Sequence, residues 1–177
     1  MTPNPKTMKF VADHMLLSSG EIVEFLSPSD AKGYSTLAEA LFNFPFVSRI
    51  FIAQNFVTVY KNDMIEWSDV SLEMRDFIRE WLMENEKAVQ KIPEKSKIEI
   101  VSDSKTKTTN ISPIINTEMD QKIVDLINEY IQPAVEQDGG AIHFQSYNED
   151  NGQVTVLLKG SCSGCPSSTA TLKRGVE

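Results

Sequence analysis

Near its middle the chain changes character. Between residues 88 and 116 the composition turns to Lys, Ser, Thr and Pro, with the short apolar cluster Ile98-Glu99-Ile100-Val101 inside it. Such a stretch buries too little apolar surface to offset the entropy of ordering it, so one continuous core cannot run through it. The 177 residues are therefore expected to divide into two small units, 1–87 and 117–177, with 88–116 as a flexible linker. Apolar residues make up 41% of the chain, enough for each unit to build a core.

The first unit reads as α+β from about residue 8. Strands are expected around Lys9-Phe10-Val11, over 47–53 and over 56–60, and Val57-Thr58-Val59-Tyr60-Lys61 alternates with period two. A helix is expected over 36–44, with Leu37, Leu41 and Phe44 on one side and Pro45 as its stop. In a second helix Val70, Met74, Phe77, Ile78, Trp81 and Leu82 recur at helical spacing behind Asp69 and Ser71 as caps. That Met and aromatic stripe is read as core and not as a cofactor site.

The second unit opens on Thr117-Glu118-Met119-Asp120, a capping-box pattern with Asp at its last position. Ile123, Leu126, Ile127, Tyr130 and Ile131 follow on one helical face, and Pro133 and then Asp138-Gly139-Gly140 are expected to end the helix. Two strands, 141–147 and 153–159, form a hairpin over the polar loop 148–152. A further helix begins at about Ser167, and a helix so short against two strands suggests that the fold continues past Glu177. The fold class is thus α+β: two small α/β-layer units, the second arranged as helix, hairpin, cysteine loop and helix.

Seventeen Lys and Arg against 25 Asp and Glu leave a charge of −8, which argues against nucleic acid or an anionic membrane as a partner. Met1-Thr2-Pro3-Asn4-Pro5-Lys6 has neither the apolar run of a secretory signal nor an Arg-rich transit pattern, and the expectation is a soluble cytoplasmic protein with reduced thiols. There is no phosphate-binding glycine loop, no Ser-His-Asp set and no pair of carboxylates that context marks as catalytic. His143 falls with Ala141 and Gln145 on the polar face of a strand and His14 in a polar turn, and both are read as solvated. Asp138, before two glycines, is read as a turn former.

Thiol chemistry is confined to one place. Cys162 and Cys165 are the only cysteines, in the run Lys159-Gly160-Ser161-Cys162-Ser163-Gly164-Cys165-Pro166-Ser167-Ser168. Two thiolates grip one edge of a metal centre, whereas structural zinc and the common iron-sulfur clusters take four protein ligands. A complete centre would draw its other pair from a second copy. A helix beginning at Ser167 would favour thiolate through its free N–H groups and dipole, Gly160 and Gly164 would let backbone approach a cluster, and Pro166 suits a first helical turn. On spacing and context three readings stay open: a metal centre shared between chains, a redox disulfide pair, and inert buried thiols.

The combination Glu136-Gln137-Asp138-Gly139-Gly140, then Gly160-Ser161-Cys162-Ser163-Gly164-Cys165-Pro166-Ser167-Ser168-Thr169, then 172–177 resembles the NifU C-terminal-type domain of Nfu proteins, over about 60 residues from Glu118 onward. Thr2-Pro3-Asn4-Pro5 with Lys9-Phe10, and Phe56-Val57-Thr58-Val59 before Ile65-Glu66-Trp67, are similar to the separate N-terminal domain of the same family. The resemblance implies an iron-sulfur scaffold or carrier and not an enzyme. Cys162 and Cys165 of two protomers would hold the cluster, [4Fe-4S] before [2Fe-2S], in a homodimer. Apo iron-sulfur proteins would receive it and upstream assembly machinery would supply it. The alternatives on the same residues are a thiol-disulfide oxidoreductase and a zinc-bridged dimer. The family domain also continues beyond the helix that begins at Ser167.

Overall fold

The computed structural model describes residues 2, 4–18, 21–85, 87–93 and 117–163. Cys165, the helix expected from Ser167 and most of the expected linker lie outside these residues. The fold is α+β, built on two sheets.

Strands β1 (Thr7–Val11), β2 (Ile22–Phe25), β3 (Val47–Ala53) and β4 (Phe56–Lys61) form one antiparallel sheet in the order β1-β4-β3-β2. Alternation sorts their side chains into two apolar sets. Ile50, Ile52, Val57 and Val59, with Phe10, Val23 and Phe25, point to one face, while Phe51, Ala53, Phe56 and Tyr60 point to the other. Every residue of β4 is buried, because both faces of the sheet are covered. The four-residue β2 was not expected: it is a short edge strand in which Glu24 breaks the apolar run.

Helices α1 (Pro28–Ala31), α2 (Thr36–Leu41) and α3 (Trp67–Glu84) cover the first face. The Ser35 hydroxyl starts α2 by accepting from the Ala38 N–H at 3.1 Å, and the helix stops at Leu41, a little short of the expected 44. The stripe on α3 is core as expected, with Met74 and Ile78 buried and Phe77, Trp81 and Leu82 packed beside them. Its start differs from expectation, since neither Asp69 nor Ser71 caps it. The helix begins at Trp67, behind a Glu66 side chain that makes no capping bond. Packing decides this boundary, because the Trp67 ring meets the edge of Phe10 with centroids 6.4 Å apart. Residues 88–91 also stay on this unit: Ser35 Oγ donates to the Ala88 carbonyl at 2.7 Å, and the Gln90 N–H to Tyr34 at 2.8 Å.

The second sheet is the hairpin β5 (Gly140–Asn148) and β6 (Gln153–Gly160), under α4 (Glu118–Leu126), a π-helical turn over Ile127–Ile131, and α5 (Gln132–Gln137). The capping box forms as read: Thr117 Oγ1 accepts from the Asp120 N–H, and the Asp120 carboxylate from the Thr117 N–H, both at 3.1 Å. Pro133 does not end the helical run. The turn before it widens, with the Gln132 N–H bonded to the Ile127 carbonyl, and Pro133 then sits in the first turn of α5, where its missing N–H costs nothing. The apolar face is also narrower than the spacing suggested. Ile127 is buried against the hairpin, while Leu126 and Tyr130 are 54% and 67% exposed, since a two-stranded ribbon offers width for one ridge of side chains.

The hairpin lies on the second face of the four-stranded sheet, where Ala141 joins Phe51, Ala53, Phe56 and Tyr60. The layers run helices, sheet, hairpin, helix.

Candidate metal centre

β6 delivers the cysteine loop. It ends at Gly160 in a left-handed conformation (φ 65°), and the Ser163 N–H closes a turn onto the Gly160 carbonyl at 2.8 Å. Ser161 ties the turn to the two residues before β5. The Ser161 N–H donates to the Gly139 carbonyl at 3.2 Å, and the Ser161 hydroxyl donates to the Asp138 carbonyl. Cys162 points inward among Ile127, Val135, Ile142 and Phe144 and is 4% exposed.

Gly140 makes room for that sulfur. A Cβ there would lie 2.8 Å from Cys162 Sγ and 2.7 Å from the Lys159 carbonyl oxygen. The Asp138-Gly139-Gly140 and Gly160-Ser161-Cys162 segments, 20 residues apart in sequence, are thus one built site. Asp138 is the turn former it was read to be, following α5 with its N–H on Ala134 at 3.2 Å. Gly160 has a role the sequence did not give it, since a Cβ there would meet Gly139 O at 2.7 Å and Phe51 Cδ1 at 2.9 Å. It serves the packing of strand end on sheet.

The two histidines part company. His14 is exposed as expected, with Nδ1 2.7 Å from Asp13. His143 is not solvated: its face of β5 is covered by the four-stranded sheet, Nε2 is buried without a hydrogen-bond partner, and burial, then the Lys159 charge, hold its pKa below the ordinary 6.5. Around it on the same interface burial lowers Lys159, against the pull of Glu24, and raises Glu24, against the pull of Arg49. The consequence for His143 has a definite sign. The unfolded chain takes up a proton near pH 6.5 that the folded ring resists, so this group's contribution to stability is intact above 6.5 and is lost as pH falls toward the depressed native value. His143→Gln is expected to shrink the fall in melting temperature between about pH 7.5 and about pH 5.5. An undiminished fall would mean that the ring is hydrated.

Among the described residues no group of three or more His, Cys, Asp or Glu side chains is placed to hold a metal ion, and no helix is long and apolar enough to cross a membrane. Any complete centre at Cys162 therefore draws ligands from outside those residues or from another chain. Asn4, Lys9 and Thr58 reach across to the loop's surroundings; they lie in the stretches that resemble the family's N-terminal domain, but nothing in those stretches marks the contacts they make.

Comparison with known proteins bears on both halves. A family model described as the scaffold protein Nfu/NifU N terminal matches residues 1–85, and the NifU-like domain matches residues 123–177. The chain belongs to the Nfu-type, NifU-like family. The NFU1 iron-sulfur cluster scaffold homolog, mitochondrial, of Drosophila willistoni is 33% identical to this Nfu-type chain over 177 residues, 99% of the chain and 56% of that relative. Its counterpart in Drosophila persimilis is 33% identical over 176 residues, with 99% and 57% covered. The chain thus spans a little over half the length of these curated relatives. The solution structure of a NifU-like protein from Saccharomyces cerevisiae aligns with 51% of this chain and 80% of its own, at 26% identity and a TM-score of 0.42.

The relatives correct one expectation. They are named mitochondrial, which overturns the cytoplasmic assignment. Residues at the head of a chain are a poor guide to compartment, since targeting segments are cut from mature proteins.

Proposed function

We propose that this Nfu-type chain is a scaffold and carrier for an iron-sulfur cluster and not an enzyme. Units 1–87 and 117–177 are joined by the segment between them, and the cluster is cargo. Two copies each offer Cys162 and Cys165, the four thiolates hold a [4Fe-4S] cluster at the dimer contact, and apo iron-sulfur proteins take it by thiolate exchange. The observation that carries this is the cysteine count set against the built loop: two thiols per chain, one of them seated in a cradle formed by Gly140. The NFU1 relatives, named as cluster scaffolds, support it. A cluster held by ligands from two subunits gives up its thiolates stepwise, which suits a donor.

Anaerobic reconstitution with iron and sulfide tests the proposal. A brown dimer with about four iron atoms, and apo-protein nearer to monomer, is the expected result. A colourless dimer holding zinc, or a monomer with a complete cluster, would overturn it.

A further inference from the structure

The second unit is seated on the first by contacts that converge on the cysteine loop. Thr58, fully buried on β4, donates its hydroxyl to the Gly139 carbonyl at 2.8 Å. Lys9 Nζ donates to the Glu136 carbonyl at 2.6 Å, near the end of α5. Asn4 Nδ2 donates to the Ser161 carbonyl at 3.2 Å, the peptide that leads into Cys162. The fit is close: a Cβ on Gly139 would lie 2.8 Å from Thr58 Oγ1, and one on Gly160 2.9 Å from Phe51. Lifted off, the hairpin would leave Phe51 and Phe56 facing water, so the sheet face is built to be covered.

In this seated arrangement the Cys162 thiol is turned into its own unit's core and is 4% exposed. A thiolate that bridges a centre to a second copy has to come out. The first unit holds the residue before it and that residue's anchor: Ser161, whose carbonyl accepts from Asn4, and Gly139, whose carbonyl accepts from both Thr58 and the Ser161 N–H.

We infer that the first unit is a latch on the ligand loop: Asn4, Lys9 and Thr58 hold the loop's anchor peptides so that Cys162 stays covered, and the loop opens when the sheet face releases the hairpin. This rests on Cys162 being a cluster ligand, but thiol exposure is measurable with no cluster present. The outer sheet face is then an interaction surface whose partner is the chain's own cluster unit, and release from it precedes loading.

The test uses the full chain carrying Cys165→Ser, so that Cys162 is the only thiol, and follows its alkylation by iodoacetamide under reducing conditions. Asn4→Ala is expected to speed the reaction about fivefold, the effect of one ordinary hydrogen bond on an opening equilibrium. Thr58→Arg and Phe51→Glu put a charge into the covered face and are expected to speed it by more than about tenfold. Far-UV circular dichroism and a cooperative melt certify folding, and should either charged variant fail to fold, Asn4→Ala decides the matter alone. Rates within about twofold of the parent in the folded variants overturn the latch. Iron loading of the two-cysteine chain is scored separately. If the chain binds no iron while the alkylation differences stand, the carrier function falls and the latch survives; uniform alkylation with full loading gives the reverse.

Discussion

Serine in place of either Cys162 or Cys165 is expected to abolish cluster assembly: no visible absorption after anaerobic reconstitution and no activation of an apo iron-sulfur acceptor. The loss is total because ligands are shared. One substitution per chain removes two of the four thiolates in a dimer, and two thiolates leave a cluster open to water and to loss of iron. Cys162→Ser also puts a hydroxyl among Ile127, Val135, Ile142 and Phe144, so Cys162→Ala, which keeps that pocket apolar, is the companion variant. Equal failure of the Ser and Ala variants, both folded, assigns the loss to ligation. A thiol-disulfide oxidoreductase behaves differently, since its two cysteines are unequal: without the resolving thiol, the nucleophile accumulates mixed disulfides with clients. If one Ser variant traps such adducts while the wild-type chain activates no acceptor, the carrier function is to be abandoned.

The parts of the fold set by local pattern were legible in the sequence. The period-two run through Val57 and Val59, the helical stripe through Met74 and Ile78, and the capping box at Thr117 all form as spacing predicts, because each depends on neighbours within a few residues. What lay outside local pattern was misread. Pro133 reads as a stop, yet a widened turn before it lets the helix run on to Gln137. His143 reads as solvated because alternation shows which side chains share a face and not what covers that face. The second apolar set on the sheet, Phe51, Phe56 and Tyr60, was the available signal that β3 and β4 are buried on both sides. Two apolar faces on one antiparallel sheet call for two covering layers. At the candidate site the two cysteines are plain, whereas Asn4, Lys9 and Thr58 lie in stretches that resemble the family's N-terminal domain yet carry no sign of their contacts, being ordinary residues more than 80 positions from the backbone groups they hold.

Gly140→Ala is expected to damage the loop more than its size suggests, and a second glycine shows why. At Gly140 the backbone conformation is one that any residue adopts, so the cost is purely of space: the new methyl would stand 2.7 Å from the Lys159 carbonyl oxygen and 2.8 Å from Cys162 Sγ. The carbonyl belongs to the strand pair, where Ala141 faces Lys159 and Gly140 faces Gly160, so it cannot move without opening the end of the hairpin. The sulfur is the softer neighbour, and it is displaced. Overpacking of this kind costs about 1–3 kcal/mol. Gly152 presents the opposite case, with φ at 67° in the hairpin loop and nothing within 4 Å of the added methyl. Gly152→Ala therefore costs backbone strain alone, roughly 1–2 kcal/mol. Similar losses in denaturant midpoint are expected for both, but only Gly140→Ala should change iron loading and speed alkylation of Cys162, since only that methyl touches the thiol. Equal thiol reactivity in the two variants would remove Gly140 from the site and leave it as a strand residue.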